Sequence, residues 1–333
     1  MIKAANPRFT GRLTMLALIG TIGLLVPSFV PLKGAVATGC DPGHSSNQPA
    51  TSRTEDVIYG RKFGMALTMD VFEPAQKNGF GVIFLVNGAW YSSHDPVTVP
   101  FPFPCVTPDN YKPYLDSGYT VFAVVTSSAP KFSIPEVIED LYRAVRFIRY
   151  NAAKFGVKPE SLGVLGSSSG GHLALMMGTQ GTPGPTDAQD PIDRESSAVG
   201  AVACFFPPTD FLNWGAPGVD GVGLASMAFL AIVFGPRAYT EQGRQNLGRE
   251  ISPIYFVTSK MPPTLIIHGD ADNVVPLQQS ESFVKRAEEV GAPRVKLVVR
   301  KGKSHGWGDF WKSQEDITLF VEWFDEYLRG IRK

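Results

Sequence analysis

A serine with a glycine two positions away on either side is the clearest candidate for chemistry in this chain. It is Ser168, at the centre of Gly166-Ser167-Ser168-Ser169-Gly170, between an apolar run at 161–165 and a helix-favouring run at 172–177. The order strand, Gly-x-Ser-x-Gly, helix is typical of a nucleophile elbow, a tight turn that lifts a serine hydroxyl above the end of a strand. The bend also explains Gly166 and Gly170, where side chains are expected to collide with the neighbouring strand and helix. A Gly/Ser-rich turn without chemistry is the alternative.

A serine nucleophile needs a base to take its proton and a carboxylate to orient that base. In the chain order typical of a nucleophile elbow, the acid follows the serine and the histidine comes last. Two aspartates, Asp270 and Asp272, follow the apolar run at 264–267. Asp270 comes directly after the run and can cap the turn through its own backbone, whereas Asp272 lies deeper in the loop. We therefore predict Asp272 as the acid and Asp270 as a structural residue.

The base is expected after the next apolar run, at 295–299. His305 lies there, in a loop that also contains Gly306. His172 falls on the helix behind the serine, where we expect it to be packed or hydrogen-bonded behind the site. His94 precedes the serine, which is the wrong order. The sequence therefore predicts His305 as the base.

An acyl-transfer site also needs two backbone donors for the developing oxyanion. One is expected to be the amide of Ser169, at the start of the helix, where the helix dipole helps. The other is expected from the loop that follows the apolar run at 82–86, through the amide of Gly88 or of Ala89, a choice that the residues leave open. Trp90 and Trp307, beside these loops, are predicted to bind substrate.

The elements that must hold these residues alternate between strands and helices. Repeated alternation of this kind favours a mainly parallel sheet with helices on both faces. Strands are predicted at 57–59, 66–72, 81–86, 120–125, 161–165, 198–206, 263–267 and 295–299, and helices at 133–156, 277–290 and 314–328. The arginines of the 133–156 helix are expected on a solvated face. The stretch 207–250 interrupts the alternation as a small cap-like insertion, either a lid or a surface excursion.

The first 39 residues predict export. Basic residues precede an apolar run at 13–30, and no acidic residue occurs before Asp41, which is typical of a signal peptide. A membrane anchor is the alternative, but glycine and proline residues make this a poor span. Cleavage after Ala37 gives a soluble periplasmic or secreted protein, the favoured form. The segment Ala37-Thr38-Gly39-Cys40 loosely resembles a lipobox, through which a lipidated Cys40 would attach the protein to a membrane.

The remaining residues are divided into a flexible leader at 40–56 and a catalytic domain at 57–333. A proline-rich insertion at 96–108 contains Cys105. The spacing of Cys105 and Cys204 does not show whether they form a disulfide, and a buried free thiol is the favoured interpretation of Cys204. The formal net charge is zero, so there is no electrostatic argument for binding nucleic acid or an anionic membrane. No Cys/His cluster has metal-ligand spacing.

Over residues 57–330 the chain resembles the α/β-hydrolase superfamily. Within it, the chain is similar to a secreted esterase/lipase branch that includes bifunctional feruloyl and acetyl xylan esterases and kynurenine formamidase-like enzymes. The resemblance lies in the segments 166–174, 268–276 and 304–306, and it implies an α/β-hydrolase fold with Ser168, Asp272 and His305 as nucleophile, acid and base. The chain departs from that pattern in two places. Val86-Asn87-Gly88-Ala89-Trp90 replaces His-Gly-Gly-Gly-Trp, and Ser169 stands where alanine is common.

These residues predict an exported serine carboxylesterase that forms an acyl-enzyme and needs no metal or organic cofactor. Its partner is expected to be a small-molecule or polysaccharide-linked ester, such as an acetyl or feruloyl ester. A peptidase of the prolyl oligopeptidase type is an alternative. Against it, fewer than about 60 residues precede the catalytic domain, and no propeller domain that could gate peptides is predicted. A catalytically silent exported binding protein and a lipase with a lid at 227–234 are the others.

Overall fold

An eight-stranded sheet organises the part of the chain that the computed structural model describes, residues 51–93, 108–223, 231–292, 294–308 and 310–331. Its strands are β1 (Ser52–Lys62), β2 (Met65–Glu73), β3 (Gly81–Val86), β4 (Thr120–Val125), β5 (Leu162–Ser167), β6 (Ala201–Phe205), β7 (Thr264–Gly269) and β8 (Val295–Arg300). They lie in the order β1-β2-β4-β3-β5-β6-β7-β8. The β1–β2 and β2–β4 pairs are antiparallel and the other neighbours are parallel. The predicted mainly parallel sheet is confirmed, and its two antiparallel pairs lie at the β1 end.

Helices cover both faces of this sheet. They are α1 (Lys112–Asp116), α2 (Ile134–Tyr150), α3 (Ala152–Phe155), α4 (Ser169–Gln180), α5 (Ala231–Phe234), α6 (Glu241–Ile251), α7 (Gln278–Glu289) and α8 (Gln314–Arg329). Short 3-10 helices lie at Pro108–Asn110, Pro191–Arg194, Pro236–Tyr239, Pro253–Phe256 and Phe310–Lys312. None of the helices in the described ranges is both long enough and apolar enough to cross a bilayer.

The alternation of side chains along β3 explains the two layers. Ile83 and Leu85 belong to the core cluster that includes residues of α2, α4 and α7, whereas Val82 and Phe84 belong to the cluster with residues of α1 and α8. Successive side chains of a strand point to opposite faces, so a strand buried on both faces reads as one continuous apolar run. Full burial of a side chain the size of Phe84 contributes roughly 1.5–3 kcal/mol.

The arginines of the predicted 133–156 helix do not lie on a solvated face, so that expectation was wrong. The helix is divided at Asn151 into α2 and α3. Arg143 forms ion pairs with Asp190 and Asp193 at 2.7 Å each. Arg149 is 6% exposed and donates to backbone carbonyls, including that of Ala198 at 2.6 Å. These arginines therefore tie the segment that leads into β6 to the helix.

The parallel strands end at one edge of the sheet, which gathers the loops that follow β3, β5, β6, β7 and β8. Strand β1 begins at Ser52, so the predicted leader at 40–56 is too long by the residues from 52 onward. Several predictions lie outside the described residues: the signal peptide at 1–39, Cys40, His94, Cys105 and most of the 96–108 insertion. Within the described ranges Cys204 is a buried free thiol, as expected.

Candidate active site

Ser168 lies at the turn between β5 and α4, as the predicted nucleophile elbow requires. Its φ of 52° and ψ of −119° are strained for a residue with a side chain, a conformation that costs on the order of 1–3 kcal/mol. Backbone hydrogen bonds on both sides hold it there. The Ser168 amide donates to the Phe205 carbonyl at 3.0 Å, and the Ser168 carbonyl accepts from the His172 amide at 2.8 Å. The turn is thus fixed to the neighbouring strand and to the first turn of α4.

Only one of the two glycines of the motif stands where a side chain has no room. A Cβ at Gly166 would lie 2.5 Å from the carbonyl carbon of Gly170, which no real structure tolerates. A Cβ at Gly170 would find its nearest neighbours at 3.5 Å, an ordinary contact. The predicted collision is therefore correct for Gly166 and wrong for Gly170. The second tight position is Gly171, where a Cβ would lie 2.8 Å from the Phe205 carbonyl oxygen.

Three side chains from three separate loops form one continuous chain of hydrogen bonds. The distance from Ser168 Oγ to His305 Nε2 is 3.0 Å, and that from His305 Nδ1 to Asp272 Oδ2 is 2.7 Å. Since an ionised carboxylate can only accept, Nδ1 of His305 carries the proton and Nε2 is free to accept from the serine hydroxyl. The residues predicted as nucleophile, base and acid are therefore brought together, in the tautomer that lets the imidazole take a proton from Ser168.

Asp272 is held ionised by its surroundings. Its side chain has no exposed surface, and Oδ1 accepts from the amides of Val274 at 2.9 Å and Val275 at 2.8 Å. Burial opposes the charge, but hydrogen bonds from His268 and His305 and the charge of His305 outweigh it and lower the pKa of Asp272 from 3.8 to about 2. The carboxylate is therefore charged throughout the neutral range and fixed in orientation.

Asp270 takes the structural position that the sequence predicted. Its Oδ1 accepts from the amide of Gly302 at 2.5 Å, and its own amide donates to the Arg300 carbonyl at 3.2 Å. These bonds join the loop after β7 to the turn after β8. Asp270 thus holds together the two loops that carry Asp272 and His305.

The structure distinguishes between the two candidate donors in the loop after β3. The amide of Gly88 donates to the Tyr91 carbonyl at 2.9 Å. The amide of Ala89 has no hydrogen-bond acceptor among the residues that the structure describes, which makes Ala89 the better candidate. Ala89 and Trp90 have φ values of 48° and 61°, both in the left-handed region that L-residues seldom adopt. Ser169 begins α4, and its amide belongs to the first turn, where donors lack partners within the helix.

Side chains on α4 contact both ends of this loop. Ser169 Oγ donates to Asn87 Oδ1 at 2.7 Å, and Trp90 Nε1 donates to His172 Nδ1 at 3.1 Å. The other nitrogen of His172, Nε2, lies 2.6 Å from the Ile251 carbonyl oxygen at the end of α6. Complete burial lowers the pKa of His172 from 6.5 to about 4, although the bond to Ile251 opposes the shift. His172 is therefore a packed, neutral residue behind the site, as expected.

Trp90 and Trp307 do not offer exposed rings to a substrate, so their predicted role as substrate-binding residues needs correction. Trp90 is 2% exposed and packs against Phe211 and Phe234. Trp307 is 9% exposed and packs edge-on against Phe206. An aromatic residue beside a catalytic loop is as well suited to support the loop from the core as to face solvent.

Phe206, which sequence reasoning missed, lies directly against the base. Its ring centroid is 4.7 Å from that of His305, and its φ is 34°. It follows β6, the strand between β5 and β7, so its position at the sheet edge was the available signal. Phe206 supports one side of the imidazole and restricts its rotation.

The described ranges contain no group of three or more His, Cys, Asp or Glu side chains arranged to hold a metal ion. The neighbouring histidine, His268, is fully buried on β7 and makes structural contacts. Its Nδ1 lies 2.7 Å from Ser280 Oγ, and its Nε2 lies 2.9 Å from the Val275 carbonyl oxygen. The chemistry that this arrangement can perform is nucleophilic attack by a serine, with proton transfer through His305.

Comparison with known proteins places this arrangement in context. The sequence model of the BD-FAE family matches residues 69–287. The esterases LipC and LipQ of Mycobacterium tuberculosis are 30% identical over 190 residues and 26% identical over 198 residues. These matches cover 57% and 58% of this chain but only 45% and 44% of the two relatives. The chain thus spans less than half the length of these two relatives.

Solved esterase structures share the fold. A truncated carbohydrate esterase from gut microbiota is 25% identical, with a TM-score of 0.70, over 85% of this chain and 99% of that one. Native esterase 2 of Thermogutta terrifontis is 22% identical, with a TM-score of 0.61, over 86% of this chain and 96% of that one. These likenesses agree with an α/β-hydrolase architecture.

Proposed function

This chain belongs to the BD-FAE family, and from that membership together with the geometry of the site we propose that it is a serine carboxylesterase. The observation that carries the proposal is the continuous hydrogen-bonded chain from Ser168 Oγ through His305 to Asp272. It joins three loops of the fold in the tautomer that nucleophilic catalysis needs. The names of the relatives, esterases and a carbohydrate esterase, support the same reaction class.

The reaction follows from the positions of these atoms. Ser168 Oγ attacks the ester carbonyl while His305 Nε2 takes the hydroxyl proton, and Asp272 stabilises the resulting imidazolium. His305 then returns the proton to the leaving alcohol, which leaves an acyl-enzyme on Ser168. A water molecule, deprotonated by His305, attacks the acyl carbon. The bond from that carbon to Ser168 Oγ then breaks, His305 returns the proton to Oγ, and the acid is released.

The negative charge on the carbonyl oxygen is stabilised by two backbone amides. Ser169, at the positive end of α4, supplies one, and Ala89 supplies the other. Loss of a single donor of this kind typically reduces kcat by about 10²–10³-fold. Both donors come from the main chain, so their contribution depends on how the two loops are held in position.

We further propose that the substrate is an acetyl or feruloyl ester linked to a polysaccharide. The support is the chain's similarity to bifunctional feruloyl and acetyl xylan esterases and to a solved carbohydrate esterase. Export of the protein through residues 1–39 would bring the enzyme to such a polymer. N-terminal sequencing of the fractionated full-length protein tests export. A periplasmic or secreted form that begins near residue 38, or at a lipidated Cys40, supports export, and an intact cytoplasmic form contradicts it.

Labelling with a fluorophosphonate probe, followed by peptide mapping, tests the reaction class. We expect the label on Ser168 alone, no labelling of Ser168→Ala, and normal labelling of the matched variant Ser167→Ala. Turnover of acetyl, butyryl and feruloyl esters, set against a chromogenic dipeptide amide, separates an esterase from a peptidase. A folded protein that neither labels nor turns over any ester would refute the proposal and favour a catalytically silent binding protein.

A further inference from the structure

Two amides that act on one oxyanion belong to segments far apart in the chain. Ala89 follows β3, whereas Ser169 begins α4, and no covalent constraint fixes the distance between them. Oxyanion stabilisation depends on donors already placed at about 2.7–3.1 Å from the oxygen as it becomes charged. Some non-covalent contact must therefore hold the loop at 87–90 in position relative to the nucleophile elbow.

The side chain of Ser169 makes such a contact. Ser169 is 1% exposed, and its Oγ donates to Asn87 Oδ1 at 2.7 Å. The same residue thus supplies one oxyanion amide and a side-chain bond to the loop that supplies the other. Asn87 lies two residues before Ala89, and its Nδ2 lies 3.4 Å from Thr126 Oγ1, after β4. Asn87 is therefore positioned between the elbow and the neighbouring strand end.

The backbone of the loop needs this support. Ala89 and Trp90 both have positive φ values, which side-chain-bearing residues adopt only where surrounding contacts impose them. The far end of the loop is held by the bond from Trp90 Nε1 to His172 Nδ1. The near end is held by Ser169. Residues 169 and 172 are three apart on α4 and so lie on the same side of that helix.

The two departures from the family pattern are in contact in this fold, through Asn87 of the loop and Ser169. Asn87 replaces a glycine of His-Gly-Gly-Gly-Trp, and Ser169 replaces the common alanine after the nucleophile. Glycine and alanine have no side-chain polar atoms and cannot form this bond. Resting on the proposed function, we propose that the side chains of Ser169 and Asn87 are positioning residues that set the distance between the two oxyanion donors.

The test is a double-mutant cycle of Ser169→Ala and Asn87→Ala, with kcat and KM measured on the best ester. We expect each single variant to lose about 10- to 100-fold in kcat with KM within about threefold, because donors that shift by a fraction of an ångström weaken transition-state binding rather than substrate binding. The kcat of the double variant should lie no more than about threefold below that of the less active single variant, since both changes remove the same hydrogen bond. The rate of fluorophosphonate labelling should fall in parallel.

Ser167→Ala is the matched control. It removes a hydroxyl on the other side of the nucleophile, where Ser167 Oγ has no hydrogen bond among the described residues, and its kcat should stay within about threefold of the wild-type value. Asn87 is partly exposed, so Asn87→Ala interrogates the bond even where Ser169→Ala fails to fold. The thermal unfolding midpoint of each variant separates a loss of rate from a loss of structure.

Three outcomes would overturn the inference while leaving the esterase intact. They are wild-type kcat in Ser169→Ala, multiplicative losses in the double variant, or a rise in KM at constant kcat. A wild-type protein without any esterase turnover or labelling instead overturns the proposed function, and the positioning role with it.

Discussion

Acid should destabilise this protein through His172 before it affects any carboxylate of the site. The imidazole is completely buried and neutral, with Nδ1 accepting from Trp90 and Nε2 facing the Ile251 carbonyl. Burial lowers the pKa of His172 from 6.5 to about 4. At pH values between about 4 and 6.5, His172 is protonated in the unfolded chain but not in the folded protein. The free energy of unfolding therefore falls as the pH is lowered from about 6.5 to about 4.

The size of the effect follows from the difference between the two pKa values. One unit corresponds to about 1.4 kcal/mol, so a fall from 6.5 to about 4 amounts to about 3 kcal/mol once the pH reaches 4. That is a large part of the roughly 5–15 kcal/mol typical of a folded domain. Asp272 acts in a different window. Because its pKa is lowered to about 2, its contribution is complete above about 3.8 and is lost only as the pH falls below that value.

Urea unfolding at several pH values between 7 and 4 measures this effect, with His172→Gln as the comparison. Glutamine does not titrate, and its amide can accept from Trp90 and donate to the Ile251 carbonyl. The change in each protein's free energy of unfolding is measured from its value at pH 7, because the His172 imidazole is then mostly neutral in both the folded and the unfolded state. We expect the wild-type free energy of unfolding to fall by about 3 kcal/mol more than that of the variant. Parallel curves, within about 0.5 kcal/mol, would refute the reasoning.

Three further predictions concern residues with well-defined contacts. In Asp272→Asn, steady-state kinetics should show kcat lower by about 10³–10⁴-fold, since an amide cannot hold His305 in the required tautomer; a loss below tenfold would contradict this. Thermal denaturation of Gly166→Ala should reveal a destabilisation of about 2 kcal/mol or more because of the 2.5 Å contact, whereas Gly170→Ala changes stability by less than about 1 kcal/mol; equal effects would count against it. Burial raises the pKa of the Cys204 thiol far above its usual value, so iodoacetamide should modify it only after unfolding, and rapid reaction of the native protein would disprove this.

The catalytic loops could be located from the sequence because buried parallel strands are continuous apolar runs. The runs at 161–165, 264–267 and 295–299 correspond to β5, β7 and β8, which end one, three and five residues before Ser168, Asp272 and His305. Parallel strands bring those ends to one edge, so chain order alone was enough to assemble the three loops. The choice of Asp272 over Asp270 rested on the same geometry: a residue directly after the strand faces its own turn, whereas one deeper in the loop can bend back over the edge.

Contacts between polar residues far apart in the chain could not be predicted in this way. Asn87 and Ser169 are 82 residues apart, and neither periodicity nor composition indicates that two short polar side chains meet. Arg149 was misplaced for a similar reason, since its partners are backbone carbonyls, which carry no sequence signal. Trp90 and Trp307 were misjudged because an aromatic residue has the same sequence signature whether it lines a pocket or supports it from behind.

These contacts give α4 a second role beyond carrying the nucleophile. Its first turn supplies the Ser169 amide, and its side chains at 169 and 172 bind the two ends of the 87–90 loop. Through Nε2 of His172 the same helix contacts Ile251, where α6 of the 207–250 insertion ends. Phe234, also in that insertion, is buried against Trp90, whereas Ile232 is 54% exposed. Phe234 and the end of α6 therefore support the oxyanion loop from behind, and substitutions at these contacts should alter kcat even though they touch no substrate.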